Sequence, residues 1–265
     1  MSISQRKKIY RRALDLFFLS QAKHIGSSLS CLDILIVTLA YIKRDEDIFI
    51  LSKGHAAPAL YVVLNSLEKI SDRELMTFHR DGTRLPAHPP NYHFKDLIHF
   101  PTGSLGHGLS LCCGIAQAMK LSVTHQKKNP FVYCLMSDGE CNEGQVWEAA
   151  QYASAKRLDN LVALIDRNGI QAFGRTKDVL GDAASKEKWQ AFGFEVFECH
   201  GHNHVEMKNI FKKVRTSRQN KPKVIIFKTV KGHGVSFMEN TIQWHYLTLS
   251  EEQYKQAVED IRKNL

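Results

Sequence analysis

The sequence predicts an α/β fold in which helices cover both faces of a mainly parallel sheet. Short apolar runs of strand length alternate along the 265 residues with longer segments of helical period, which is typical of a parallel sheet covered by helices. No internal repeat, low-complexity tract or linker rich in Pro and Gly divides the chain. We therefore expect a single domain over residues 1–265.

The strands are predicted from apolar runs bounded by Gly, Asp, Asn or Lys. Because helices would bury both faces of such strands, their apolar residues are continuous instead of alternating with polar ones. The predicted strands are Ile48–Leu51, 131–136, 161–165, 194–197 and 224–228.

Helices are predicted for the intervals between the strands. The N-terminal segment 4–23 carries apolar side chains at helical spacing, and 146–156 has the alanine content of a packed helix. The spacing Ser-x-x-Glu at Ser71 and Ser-x-x-Gln at Ser250 matches the capping box that opens a helix. The box at Ser250 predicts a C-terminal helix.

A long ordered loop is predicted over residues 82–105. Prolines at positions 86, 89, 90 and 101 exclude a regular helix or strand there. Loops of this length inside compact domains commonly carry function.

The net charge and the distribution of basic residues limit the classes of binding partner but identify none. The chain carries 36 Lys and Arg against 27 Asp and Glu, a net charge of +9 with neutral His. The basic residues form short clusters without interleaved aromatic residues, so we expect no nucleic-acid partner. The apolar stretches are shorter than the roughly 18–20 residues that span a bilayer, and the N-terminus lacks the apolar region of a secretory signal. We expect no membrane segment and a cytoplasmic location.

The six cysteines include no Cys-x-x-Cys pair, and several lie in apolar runs. This favours buried, reduced thiols over a disulfide or zinc framework. Cys141 is the expected exception, because it lies among polar residues in a predicted loop, where a low thiol pKa would make it reactive.

Polar residues follow two neighbouring strands at their carboxyl ends. Asp138 follows the strand 131–136 and Asn168 follows the strand 161–165, and ligands of open α/β sheets bind at this edge. A carboxylate, a side-chain amide and backbone carbonyls are typical ligands of Mg²⁺, which completes its coordination with phosphate oxygens and water. Gly139 lets the backbone approach such a ligand. Two Asx turns would explain the same residues without any ligand.

The wider sequence around these residues resembles the thiamine diphosphate motif of transketolases. The resemblance begins with residues 137–144, Ser-Asp-Gly-Glu-Cys-Asn-Glu-Gly, although Ser137 stands where the family usually has glycine. It covers nearly the whole chain in the family's order and spacing. The other matching motifs are His24-Ile25-Gly26, Leu51-Ser52-Lys53-Gly54-His55, Thr102-Gly103-Ser104-Leu105-Gly106, Trp147-Glu148-Ala149, Leu158-Asp159-Asn160-Leu161, Asp166-Arg167-Asn168, Lys228-Thr229-Val230-Lys231-Gly232 and Trp244-His245.

The resemblance implies a thiamine diphosphate-binding fold, with the whole chain as one diphosphate-binding (PP) domain. It implies that Asp138, Asn168 and the backbone carbonyl of Ile170 hold a divalent ion, Mg²⁺ or another such as Ca²⁺ or Mn²⁺, against the cofactor's diphosphate. For Glu143 it implies a place near the subunit interface. The implied cofactor-binding residues are His55, Gly103, Ser104, Leu105, Gly139, Glu140, Glu143, Asn168 and His245.

By the same resemblance, the activity is transfer of a two-carbon ketol unit from a ketose or its phosphate to an aldose or its phosphate, with thiamine diphosphate as the cofactor. The implied catalytic residues are His24, His88 and His245, because imidazoles hydrogen-bond sugar hydroxyls and move protons near neutral pH. The histidines outside the motifs are interpreted as structural or surface residues; they include His202, His204 and His233.

A full-length transketolase has a second domain that binds the aminopyrimidine ring and supplies the glutamate that activates the cofactor, followed by a third domain. The present chain resembles only the first part. We therefore expect a split transketolase, in which a C-terminal partner chain carries the other domains and two copies of each chain form a heterotetramer. We expect the single chain to be inactive.

Two other functions remain open at this stage. The first is the diphosphate-binding subunit of another thiamine enzyme, of the 2-oxo acid dehydrogenase type, although such an enzyme does not need several imidazoles for sugar hydroxyls. The second is a cofactor-binding scaffold without catalysis, which the retained Asp138, Asn168, His24 and His55 argue against.

Overall fold

The computed structural model of the protein describes residues 2–92, 94–122 and 130–265, and its central sheet contains five parallel strands. In chain order the strands are β1 (Ile48–Leu51), β2 (Val132–Ser137), β3 (Leu161–Arg167), β4 (Ile170–Gln171), β5 (Gly174–Arg175), β6 (Glu195–His200) and β7 (Lys223–Lys228). The sheet order is β1-β2-β3-β7-β6, while β4 and β5 form a separate antiparallel hairpin. The predicted mainly parallel α/β fold is confirmed.

Ten α-helices accompany the strands in the described residues. They are α1 (Ile3–Ser20), α2 (Ile25–Val37), α3 (Ala57–Ser66), α4 (Asp72–Leu75), α5 (His107–Ser122), α6 (Gly144–Ala155), α7 (Thr176–Leu180), α8 (Lys186–Ala191), α9 (His204–Thr216) and α10 (Glu251–Asn264). A π-helical turn, Thr38–Ile42, prolongs α2.

Two apolar cores lie on opposite faces of the sheet, because successive strand residues point to opposite sides. In β2, Tyr133 and Leu135 belong to the core that includes side chains of α1, α2, α3, α9 and α10. Val132, Cys134 and Met136 belong to the core that includes side chains of α5, α6 and α8. Helices therefore cover both faces, and β2 is buried along its whole length.

The five predicted strands are all present; β1 has the predicted ends and the other four have shifted ends. β2 ends at Ser137 and β3 at Arg167, beyond the predicted ends at 136 and 165. The extension follows from register, because Ser137 pairs with Asp166 across the two strands although both are polar. The hairpin of β4 and β5 was not predicted, since two-residue strands carry no periodic pattern.

The predicted helix ends are partly right. α1 ends at Ser20, before the predicted end at 23, because Gln21 adopts a left-handed conformation with φ of 51°. Ser250 forms the full capping box of α10. Ser71 caps only the single turn of α4, where its hydroxyl accepts a hydrogen bond from the Glu74 N–H at 3.2 Å.

The helical segment Ile25–Ile42 corrects one expectation. It is 18 residues long and apolar enough to cross a bilayer by length and composition, whereas every apolar stretch was expected to be too short. Polar residues such as Ser28 and Asp33 interrupt the apolar run and hide it in the sequence. In the folded protein 78% of this segment is buried, as in a core helix.

The predicted loop 82–105 contains no helix or strand among its described residues, which do not include His93. The hydroxyl of Tyr61 in α3 donates to the carbonyl oxygens of Pro86 at 3.0 Å and His88 at 3.2 Å. The core thereby fixes the backbone of His88, one of the predicted catalytic residues.

All six cysteines are buried, and their thiols are free. The exception expected for Cys141 is wrong, because its thiol turns into the core and donates to the Ser137 carbonyl at 3.5 Å. Burial raises the pKa of the Cys141 thiol, which makes it unreactive.

Candidate functional site

Asp138 and Asn168 lie side by side at the carboxyl edge of β2 and β3. The pairing of Ser137 with Asp166 aligns the two strand ends. Asp138 is 2% exposed and Asn168 is 7% exposed. The Gly169 N–H donates to Oδ2 of Asp138 at 2.8 Å and joins the two ends. The structure therefore brings the predicted carboxylate and amide together.

The negative charge of Asp138 is incompletely compensated. Its Oδ1 accepts from the Gly139 N–H at 3.0 Å, and its Oδ2 accepts from the Thr176 hydroxyl at 3.0 Å. Burial and the neighbouring Asp166 nevertheless raise the pKa of Asp138 against the effect of these hydrogen bonds. A bound cation would offset both unfavourable effects.

Asp166 orients the amide of Asn168. The Nδ2 group of Asn168 donates to Oδ2 of Asp166 at 3.3 Å, so Oδ1 is the acceptor end, and it accepts from the Ile170 N–H at 3.1 Å. Asp166 is held by Lys53 Nζ and the Ser30 hydroxyl, both at 2.6 Å. Burial raises the pKa of Asp166, but the ion pair with Lys53 outweighs it and lowers the pKa. No separate role for Asp166 was predicted from the sequence.

Lys231 is a second residue of this site that the sequence analysis missed. Its side chain is fully buried. Its Nζ donates to the carbonyl of Ile170 at 3.1 Å and lies 3.1 Å from Nδ1 of His245. Burial and the nearby Lys53 lower the pKa of Lys231 to about 8. A buried lysine cannot be told from a surface lysine in a sequence, and its motif was the only signal.

Two glycines bring the backbone close to this edge. A Cβ on Gly139 would lie 2.8 Å from Cβ of Gln171, so only glycine fits there. Gly106 has a φ of +89°, and a Cβ on it would lie 2.8 Å from Cβ of Glu143. The chain at both positions depends on glycine.

Glu140 lies beneath the loop that contains Gly106. Its carboxylate accepts from the Ser52 hydroxyl, from the Gly106 N–H at 2.9 Å and from the Ser137 N–H at 3.3 Å. These bonds engage both oxygens of the fully buried Glu140, so its carboxylate supports the loop, and its predicted contact with the cofactor stays a prediction. Among the other predicted cofactor residues, Gly103, Ser104 and Glu143 are exposed and Leu105 is half-buried.

Three predicted histidines form a cluster with Lys231 that we call the imidazole pocket. The ring centroid of His24 lies 5.3 Å from that of His55 and 4.7 Å from that of His245. Burial is the main cause that lowers the pKa of His24 to about 4 and of His245 to about 3, and it lowers the pKa of His55 as well. All three rings are therefore neutral at pH 7.

His88 lies near the same pocket. Its Cδ2 atom would be 3.6 Å from a Cβ on Gly103. Burial lowers the pKa of His88, and a charge on His88 would lower the pKa of His24 further. The structure therefore brings the four histidines with predicted catalytic or cofactor-binding roles into one region.

The sequence matches the family described as "Transketolase, thiamine diphosphate binding domain" over residues 32–263. The chain belongs to the transketolase family. It is 36% identical to one of the subunits of the apulose-4-phosphate transketolase of Phocaeicola vulgatus, over 98% of this chain and 94% of that protein. It is also 36% identical to the 6-deoxy-6-sulfo-D-fructose transketolase subunit SqwG of Clostridium sp., over 91% of this chain and 88% of that protein.

This transketolase chain spans less than half the length of other members. Human transketolase is 34% identical over 90% of this chain, which covers 38% of the human protein. The crystal structure of transketolase from Campylobacter jejuni superposes with a TM-score of 0.87 at 28% identity, over 98% of this chain and 42% of that chain. The chain corresponds to the thiamine diphosphate-binding domain of the family.

The residues present fit thiamine diphosphate and a divalent ion. Asp138, Asn168 and the Ile170 carbonyl offer the hard oxygen donors that Mg²⁺ prefers, and the Asp138 carboxylate is buried near a second carboxylate, that of Asp166. The imidazole pocket adjoins this set through the contact of Lys231 with Ile170, and it offers N–H donors to a diphosphate.

Proposed function

We propose that this chain is the N-terminal subunit of a split transketolase. With thiamine diphosphate it transfers a two-carbon ketol unit from a ketose or ketose phosphate to an aldose or aldose phosphate. The observation that carries the proposal is the position of the imidazole pocket directly beside the oxygen donors of Asp138, Asn168 and Ile170. Relatives named as transketolase subunits match over nearly their whole length, which supports the split arrangement.

In this proposal Asp138, Asn168 and the Ile170 carbonyl hold Mg²⁺, or Ca²⁺ or Mn²⁺, against the diphosphate. Lys231 and His55 donate hydrogen bonds to its oxygens, while Gly139 allows the backbone to approach. Thiamine diphosphate, when bound, supplies the chemistry that breaks and forms the carbon–carbon bond. In this proposal the chain contributes the groups that bind the diphosphate and neutralise its charge.

His24, His88 and His245 act on the sugar. Because their pKa values are lowered, the rings are neutral at pH 7, and each can accept a hydrogen bond from a sugar hydroxyl at one ring nitrogen and donate one through the other. His24 is held at the start of α2 with a φ of 69°, and its backbone N–H donates to the backbone carbonyl of His245 at 3.3 Å. This fixes the backbones that carry two of the three rings.

We further propose that a partner chain carrying the pyrimidine-binding and C-terminal domains covers the site, in a heterotetramer of two copies of each chain, and that residues 1–265 form one diphosphate-binding (PP) domain. Phe173 is 85% exposed, and Tyr246 and Leu247 are about half-exposed. The Tyr246 hydroxyl donates to the Ala172 carbonyl at 2.8 Å, which places these apolar side chains together beside β4 and β5. Clustered exposed apolar side chains are typical of a protein interface.

The test is capture of the tagged chain from its native cell extract with Mg²⁺ and thiamine diphosphate, followed by native mass spectrometry and sugar-transfer assays. We expect a second chain with bound cofactor, transferase activity of the complex and none of the single chain. Ordinary activity of the single chain would overturn the split arrangement. Oxidation of 2-oxo acids with an artificial electron acceptor would instead support a 2-oxo acid dehydrogenase component.

A further inference from the structure

A second buried polar cluster surrounds Asp33 of α2, which is fully buried. Oδ1 of Asp33 contacts Nε of Arg6 at 2.7 Å and Nε2 of His204 at 2.7 Å. Oδ2 contacts Nη2 of Arg6 at 2.6 Å, the Tyr10 hydroxyl at 2.8 Å and Nδ1 of His202 at 2.9 Å. We call these five residues the Asp33 cluster. Because a carboxylate only accepts, each facing group is a donor.

This cluster resembles a metal site by distance alone. Asp33, His202 and His233 bring possible ligand atoms within 4.8 Å of one another. The carboxylate oxygens already accept from the Arg6 guanidinium and the other donors, and His202 uses both of its ring nitrogens. A metal ion there would have to displace these bonds beside a guanidinium charge. The cluster therefore has another role.

The two hydrogen bonds of His202 determine which of its ring nitrogens carries the hydrogen. Its Nε2 accepts from the Val230 N–H at 3.0 Å. A backbone N–H only donates, so Nε2 is unprotonated and Nδ1 carries the proton that is donated to Asp33. Asp33 thus holds the His202 ring in one tautomer and one orientation, with its acceptor atom toward Val230.

Val230 directly precedes Lys231 of the imidazole pocket, and the backbone is fixed on both sides of this lysine. On one side His202 holds Val230, and on the other the Gly232 N–H donates to the Gly26 carbonyl at 3.0 Å. A Cβ on Gly26 would lie 3.3 Å from Cγ of Lys231, so the lysine stem packs closely on the first turn of α2. The ammonium group is placed by these two anchors.

We propose that His202, oriented by Asp33, is a positioning residue that holds Lys231 where it meets the cofactor's diphosphate. This inference rests on the proposed function, since it takes the diphosphate as the group that Lys231 meets. His202 touches neither the substrate nor the cofactor and acts only through the backbone of Val230.

A matched pair of variants separates the two bonds of His202. The amide of His202→Asn reproduces Nδ1 and can still donate to Asp33, but it loses the bond to Val230. The amide of His202→Gln reaches the Nε2 position and can still accept from Val230, but it loses the bond to Asp33. The measurement is the Kd of the assembled complex for Mg²⁺–thiamine diphosphate by titration calorimetry, well below each variant's unfolding midpoint.

We expect His202→Asn, which loses the bond to Val230, to weaken cofactor binding about tenfold, and His202→Gln, which keeps that bond but loses the orientation by Asp33, to weaken it by a smaller factor of about three. A double-mutant cycle with Lys231→Met provides the second readout, because a residue that acts through Lys231 adds no further loss once the ammonium is gone. A purely structural role would change the unfolding midpoint without this pattern of Kd values.

Three results would contradict the inference. Equal Kd values for the two His202 variants would contradict it, and so would a His202→Asn effect that persists in full beside Lys231→Met. In both cases normal cofactor binding by the wild-type complex would leave the proposed function intact. A wild-type complex that binds no thiamine diphosphate would overturn the proposed function and this inference together.

Discussion

The Asp33 cluster and the imidazole pocket both involve α2, but their charges are compensated differently. In the Asp33 cluster, burial raises the pKa of the carboxyl, yet the hydrogen bonds from His202, His204 and Arg6 outweigh burial and lower it far below its usual value. In the imidazole pocket, burial lowers the pKa of Lys231 and of the histidines around it. The Asp33 cluster contains its own carboxylate, whereas the imidazole pocket itself consists of one lysine and three neutral imidazoles. We infer that the second is completed by a ligand.

Among the variants that test this comparison, Asp33→Asn should have the largest effect, and that effect is on the free energy of unfolding. Asp33→Asn leaves the Arg6 guanidinium and the facing N–H and O–H donors buried without their acceptor charge. We expect a loss of about 3–5 kcal/mol in the free energy of unfolding, as for a broken buried ion pair. Urea unfolding of the chain measures it, with Asp15→Asn at the more exposed Arg11 pair as the control. Equal small losses in both variants would remove the distinction between the two regions.

Asp138→Asn tests the second region, where the proposed ligands of the metal ion adjoin the imidazole pocket. We expect a loss of at least about a hundredfold in cofactor binding and turnover of the complex, about 2.7 kcal/mol, because the amide no longer neutralises the metal. The free energy of unfolding of the cofactor-free chain should fall less than in Asp33→Asn, since burial and Asp166 disfavour the carboxylate and offset part of the hydrogen bonds lost with it. Calorimetry and sugar-transfer assays measure the two effects. Unchanged turnover would favour a scaffold over an enzyme.

Lys231→Met tests whether the Lys231 ammonium in the imidazole pocket binds the anionic diphosphate. Loss of a charge-assisted hydrogen bond should weaken thiamine diphosphate binding by about tenfold or more, while removal of a buried ammonium should raise the unfolding midpoint of the cofactor-free chain. Lys228→Met is the matched control, because the Lys228 side chain is 54% exposed beside Glu198. Similar changes in cofactor binding and unfolding midpoint in both variants would show that the location of Lys231 in the imidazole pocket has no effect.

The smallest effect is a pH dependence of stability. His24 and His245 have pKa values lowered to about 4 and 3, against about 6.5 in the unfolded chain. The unfolded chain therefore binds protons first, so their contribution is intact above about pH 6.5 and declines as pH falls toward 4. The unfolding midpoint should drop between pH 7 and pH 5, and His24→Asn should reduce that drop. The exposed His107→Asn is the control, and an equal reduction there would contradict the assignment.

Much of the fold and part of the site were predictable from the sequence, for physical reasons. The strands were found because burial on both faces demands continuous apolar runs. Asp138 and Asn168 were found as a pair because parallel strands end at one edge. The short hairpin and the orienting role of Asp166 were not found, since both depend on contacts between segments that carry no local pattern.

The missed residues share one property. Asp33 lies in a segment of Leu and Ile, and Lys231 lies among residues of mixed polarity, so neither stands out by composition. The role of a buried charge is decided by its partners in three dimensions. His202 was interpreted as a structural or surface residue outside the motifs, and its link to Lys231 through Val230 is visible only in the hydrogen bonds.

The first turns of α2 join the imidazole pocket to the Asp33 cluster. His24 marks the start of the helix in the imidazole pocket and Asp33 lies further along it, about 14 Å away at the rise of an α-helix. If a ligand in the imidazole pocket rotates the start of this helix, the Asp33 end moves with it, because all residues of α2 are buried in one continuous helix. The ring resonances of Tyr10 and His202, which contact Asp33, would then serve as spectroscopic reporters of events at a site they do not touch.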